Sequence, residues 1–82
     1  MLLSNKMKYP GNDPTKPPGK GWEWRGKGEP GSKKGGWYKP KTGESLRPDL
    51  DHPLPIGPHW DYQPYRNGPK YRWYPNGRME LK

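Results

Sequence analysis

From residue 9 to the C-terminus, no ten consecutive residues are free of both proline and glycine. This spacing limits the fold more than any other feature of the chain. A proline inside a helix removes a backbone donor, clashes with the preceding turn and costs about 3 kcal/mol. A helical turn has no room to propagate between such breaks. Helix is therefore nearly excluded, and short strands joined by turns remain.

What such strands can bury is equally restricted. The chain has no Val, Ala, Phe or Cys, and its aliphatics are six Leu and one Ile. Five Trp and six Tyr supply most of the apolar area. A core must then be a cluster of large rings, each burying much surface for few frozen torsions. Twelve Gly and 13 Pro among 82 residues, with few aliphatics, would suit a disordered chain. The five Trp argue instead for one small ordered domain, rich in loops. Without Cys there are no disulfide staples, thiol nucleophiles or Cys-type zinc sites.

Local patterns place the strands. "GWEWRG" puts Trp22 and Trp24 on one side of a half-buried strand, and "GGWYKPKTGESLRP" reads as a hairpin with its turn at "PKTG". "HWDYQ", "KYRWY" and "RMELK" follow as three strands, separated by turns that contain Asn67-Gly68 and Asn76-Gly77. The fold class expected is mainly β: a small single domain with a short twisted antiparallel sheet, a meander over residues 59–82, and little or no helix. Residues 1–20 hold four Pro and no apolar period, and are expected to be a flexible leader, with the functional domain at 21–82. No apolar run reaches membrane-spanning length, and "MLLSNKMK" lacks the long apolar region of a signal peptide.

Charge is segregated. The net charge is +8, yet from Glu44 to Asp61 four acids (Glu44, Asp49, Asp51, Asp61) face one base (Arg47). That segment is −3, and the rest of the chain carries +11. Within "DLDHPLPIGPHWDY" stand both histidines and three of the eight acids, stiffened by Pro53, Pro55 and Pro58. The basic remainder suits a phosphate backbone, ahead of an anionic membrane surface, for which no amphipathic helix is available. The central stretch suits proton transfer. RNA carries its own nucleophile, the 2′-hydroxyl. Cleavage needs a base for that proton, an acid for the leaving 5′-oxygen and a cation near the phosphoryl oxygens, but no metal.

The expected roles follow. His59 is the first candidate for proton transfer, with Asp61 two residues on and so on the same strand face to orient it. His52 and Asp51 form a second pair, which Asp49 can join. Arg47 and Arg25 stabilise phosphoryl charge. Lys27, Lys33, Lys34, Lys39, Lys41, Lys70 and Arg72, with Arg25, form the nucleic-acid-binding frame, and Tyr62, Tyr65 and Tyr74 are the rings left for stacking on bases. The same acids and imidazoles can instead ligate a divalent ion. The usual His-based nuclease metal fold requires a helix after its hairpin, and none can form here, so no cofactor is expected.

The stretch "GWEWRGKGEPGSKKGGWYKPKTGESLRPDLDHPLPIGPHWDY", and "TGESLRPDLDHPLPIGPHWDY" within it above all, resembles the C-terminal toxin modules of bacterial polymorphic toxins, of the class called polymorphic toxin type 37. The resemblance runs from about Tyr9 to the end. It implies a ribonuclease that is secreted or delivered by contact, acts in the cytoplasm of the target cell and is neutralised by a cognate immunity protein. Its motif positions here are Arg25, Glu44, Arg47, Asp49, Asp51, His52, His59, Trp60 and Asp61. A fainter likeness, carried by "PKTG" and composition, is to the nuclease domains of ribosome-cleaving colicins. The chain starts at Met without delivery domains, so an excised module or free-standing cassette is expected. Its expected partners are RNA (tRNA, rRNA or the ribosome) and an acidic immunity protein, with the domain itself a monomer. The rival expectations are a non-catalytic RNA- or ribosome-binding module and a metal-dependent nuclease.

Overall fold

The computed structural model describes residues 8–82. Six short strands follow one another along the chain: β1 (Glu23–Gly26), β2 (Gly35–Lys39), β3 (Glu44–Asp49), β4 (His59–Gln63), β5 (Tyr71–Trp73) and β6 (Met79–Leu81). They form one antiparallel sheet in that same order, each strand pairing with its neighbours in sequence. The meander expected over residues 59–82 thus extends upstream through the first hairpin. There is no helix among the described residues.

The turns explain why the strands stop where they do. Between β2 and β3, the N–H groups of Thr42 and Gly43 both reach the carbonyl of Lys39, with Gly43 at φ +82°. Between β5 and β6, the N–H of Gly77 reaches the carbonyl of Tyr74, and the Asn76 side chain accepts the N–H of Arg78. Gly77, at φ +90°, is the residue that lets this chain reverse so tightly. Pro48 lies inside β3, where it pairs with Trp60. The β2–β3 ladder ends at Trp37 and Leu46, before that proline is reached.

One face of the sheet is the core. Trp37, Leu46, Trp60, Tyr62 and Trp73 are buried there, in rows fixed by the pairs Trp37–Leu46, Leu46–Tyr62 and Trp60–Trp73. Tyr62 is therefore not a ring left for stacking. It alternates in step with Trp60, so it must share the core face. Its hydroxyl donates to Glu44 at 2.7 Å, and burial together with that carboxylate pushes the phenol well above its ordinary range.

A lone sheet leaves its apolar face wet, and here the N-terminal segment covers it. Tyr9 meets Trp73 edge-on, the indole N–H of Trp60 donates to the carbonyl of Gly11, and that of Trp37 donates to Pro14. Of the leader expected at residues 1–20, the first seven lie outside the described residues. The segment Tyr9–Pro14 serves as second layer and as acceptor for two buried indoles. Those donors would be costly to bury without acceptors. Proline and glycine suit the role, since a strap without its own hydrogen-bond ladder leaves its carbonyls available.

Candidate active site

The opposite face carries the polar residues of the same strands. Strand pairing lays out a row across it: Arg25 beside Gly36, then Arg47, Asp61, Arg72 and Glu80. Gly36 and Arg47 adjoin, because a Cβ on Gly36 would come within 2.8 Å of the Arg47 side chain. Asp49 and His59 pair with each other one step further along β3 and β4. The loop 50–58 folds over this end. His59 and Trp60 point to opposite faces of β4, yet each is at most 1% exposed, which requires cover on both sides.

Within this end the two imidazoles share one carboxylate. Asp49 Oδ2 lies 2.8 Å from His52 Nδ1 and 3.5 Å from His59 Nε2. The His52 and His59 rings are 5.4 Å apart, and Tyr74 stands 5.7 Å from His59 on the other side. Asp61 Oδ1 is 3.3 Å from His59 Nε2 and 3.3 Å from Lys82 Nζ. That oxygen is buried and forms no hydrogen bond of good geometry among the described residues.

Backbone sets the tautomers. His59 Nδ1 is 2.8 Å from the carbonyl of Gly57, and a carbonyl only accepts, so Nδ1 carries a proton. Gly57, at φ +79°, aims this carbonyl after its own N–H has bonded back to Pro53. The rigid "PLPIGP" loop therefore orients His59 by main chain. His52 is held differently. Its Nδ1–H donates to Asp49, and its Nε2 has no hydrogen bond among the described residues. His52 is one-third exposed at the side chain, while that of His59 is 2% exposed.

This geometry revises the expected pairing. His59 does contact Asp61, as the period of two requires, but it is sealed from solvent and both its nitrogens face protein groups. His52 is the imidazole open to solvent, and its partner is Asp49 rather than Asp51. Asp51 turns outward to Lys33 at 2.8 Å, and this ammonium lowers the Asp51 pKa below the usual carboxylate range. Chain direction separates them: Asp49 ends β3 on the site face, and two residues later the chain has left the sheet. Glu44 is also removed from the cluster. It sits at the other end of β3, accepting from Tyr62 and Thr42, and acts as a structural acceptor.

The basic candidates divide likewise. Arg47, Lys70 and Lys82 line a cleft of about 300 Å³ with Ser45, Asp61, Tyr62 and Gln63. Arg25 and Lys34 line a neighbouring cleft that shares Arg47. Arg72 lies between Asp61 and Glu80 in the central row. Lys33 is engaged by Asp51, and Lys39 approaches the Trp22 ring at 5.9 Å. Lys27 is exposed in the β1–β2 connection, at the cluster's end of the sheet, and Lys41 is exposed in the β2–β3 turn, at the opposite end. Sequence patterns gave no reason to single out Lys82 or the Gly57 carbonyl. The nearest signal is the "IGP" turn, which marks a constrained carbonyl beside His59.

Asp49, His52 and His59 each present one donor atom, all within 4.8 Å of one another. Two imidazole nitrogens and a carboxylate oxygen at this spacing match the donor set of a transition-metal site, and the Gly57 carbonyl would hold His59 in the required tautomer. No helix among the described residues is long and apolar enough to cross a membrane. Comparisons with family models, with curated proteins and with solved structures return no match to this chain.

Proposed function

We propose that the domain is a ribonuclease toxin module that cleaves RNA through its own 2′-hydroxyl. The observation that carries this reading is the shared carboxylate: Asp49 fixes an exposed imidazole on one side and a buried one on the other. His52 Nε2 takes the 2′-proton, and Asp49 stabilises the imidazolium that forms. The 2′-oxygen attacks phosphorus and the 5′-oxygen leaves, taking a proton from the Lys82 ammonium, which stands 3.3 Å from Asp61 at the open edge of the cluster. Arg47 and Arg72 flank Asp61 in the sheet and meet the phosphoryl oxygens. The toxin assignment rests on the resemblance of "TGESLRPDLDHPLPIGPHWDY", together with a charge of +8 that suits both RNA and an acidic immunity protein.

The donor set at Asp49, His52 and His59 favours one second reading, a metal-dependent nuclease. A single assay separates the two: incubation with total RNA in EDTA. Fragments formed in EDTA by the native domain and lost in His52→Ala support the first reading. Fragments only after a divalent ion is added support the second. Binding without fragments in either condition leaves a non-catalytic RNA-binding module.

A further inference from the structure

A second cleft opens on the same face of the sheet, beside the cluster. It holds about 320 Å³ and is floored by Gly36, with Arg25, Lys34 and Arg47 around it and Tyr38 and Ser45 at its side. Among the described residues, no Asp or Glu lines it. Its floor is shaped by the absence of side chains. A Cβ on Gly36 would meet Arg47 Cγ at 2.8 Å and the Leu46 carbonyl at 2.9 Å. Glycine here is what allows three cations to converge over bare backbone. Arg25 is fixed in advance: its guanidinium lies 4.0 Å over the Tyr38 ring and bonds Glu23 at 2.8 Å. A cation held in this way loses little freedom when it meets a ligand.

We infer that this glycine-floored cleft is a subsite for a flanking phosphate of the RNA strand whose scissile phosphate lies at His52 and Asp49. The inference rests on the ribonuclease reading and adds how the strand is held. Arg47 lines both clefts, so it joins the subsite to the reaction centre. Gly36 lies one interstrand step and two residues along β3 from Asp49, a distance of about 8 Å. That is on the scale of the gap between successive phosphates of an extended single strand. Arginine meets a phosphate through two parallel N–H groups, and the lysine adds charge without a fixed direction.

The test uses Arg25→Gln and Lys34→Gln, two exposed sites whose changes leave the core untouched. Binding of a fluorescent all-2′-deoxy hexanucleotide, which lacks the attacking hydroxyl, is measured by anisotropy across a salt series. Each variant is expected to bind about tenfold more weakly at low salt. Its log–log salt slope should be shallower by about 0.7, the value for one lost contact to a single strand. In cleavage, each should raise KM for a hexaribonucleotide more than for a dinucleoside monophosphate, which has no flanking phosphate, while kcat moves less than KM. Unchanged hexanucleotide affinity and slope, or equal losses on the long and short substrates, would overturn the subsite. Altered binding without any cleavage by the native domain would keep the subsite and remove the ribonuclease reading.

Discussion

His59→Ala and His52→Ala should part company in stability. His59 is 1% exposed, donates Nδ1–H to the Gly57 carbonyl, and places Nε2 between the carboxylates of Asp49 and Asp61. Truncation leaves a cavity costing about 2 kcal/mol. It also strands the Gly57 carbonyl, at about 1 kcal/mol. The two carboxylates then face each other with no nitrogen between them, which adds to the loss. A total of about 3 kcal/mol is a large share of the stability of a domain this size. It corresponds to a fall in melting temperature of roughly 15 °C. His52, by contrast, is one-third exposed, and its only hydrogen bond among the described residues is to a carboxylate that water can reach. Its truncation should cost under about 1 kcal/mol, discounted for that exposure. Thermal unfolding followed by near-UV circular dichroism, which the tryptophan cluster makes sensitive, gives both values. RNA cleavage at a temperature where both variants are folded gives the second axis. His52→Ala should be folded and inactive. A His59→Ala protein melting within a few degrees of the native domain would refute the structural role, and an active His52→Ala would refute the catalytic one.

Removing residues 1–14 should destabilise the domain by about 3 kcal/mol or more, because Tyr9 and the acceptors of the Trp37 and Trp60 indoles go with them. An unchanged urea midpoint would show that the strap is dispensable. Lys33→Gln should raise the Asp51 pKa toward the ordinary carboxylate value, since the Lys33 hydrogen bond is the main cause of its depression. The native pair favours folding above the unfolded Asp pKa, and that contribution fades as pH falls through the folded one. NMR titration of the Asp51 carboxyl reads the shift directly, and no movement would count against the ion pair. Tyr62, raised by burial and by Glu44, should stay protonated in the folded domain at pH values where exposed tyrosines ionise. Its contribution to folding is complete below the unfolded value of about 10 and is lost as pH climbs above it. Ultraviolet titration showing all six tyrosines ionising together while the domain stays folded would contradict this.

Much of the fold was legible because proline and glycine act locally. They excluded helix, set the turns at "PKTG" and Asn76-Gly77, and left segments whose period of two put Trp60 and Tyr62 on one face with His59 and Asp61 on the other. Hidden from the sequence was what covers the aromatic face. The strap at Tyr9–Pro14 has no periodicity, and its role depends on carbonyls meeting indoles nearly 50 residues away, such as Gly11 with Trp60. The candidate site divided in the same way. The His59–Asp61 contact follows from strand spacing. The pairing of His52 with Asp49 rather than Asp51 depends on where the chain leaves β3, and no local pattern records that. The exposure of His52 and the burial of His59 depend on how loop 50–58 folds back over the sheet, a long-range event.

The most direct measurement is the chemistry of the RNA ends left by the native domain in the presence of EDTA. A 2′,3′-cyclic phosphate on the upstream fragment and a 5′-hydroxyl on the downstream one are the expected products, because both follow from attack by the neighbouring hydroxyl with His52 as base. Ends bearing 3′-hydroxyl and 5′-phosphate, or cleavage that stops when metal is removed, would contradict it.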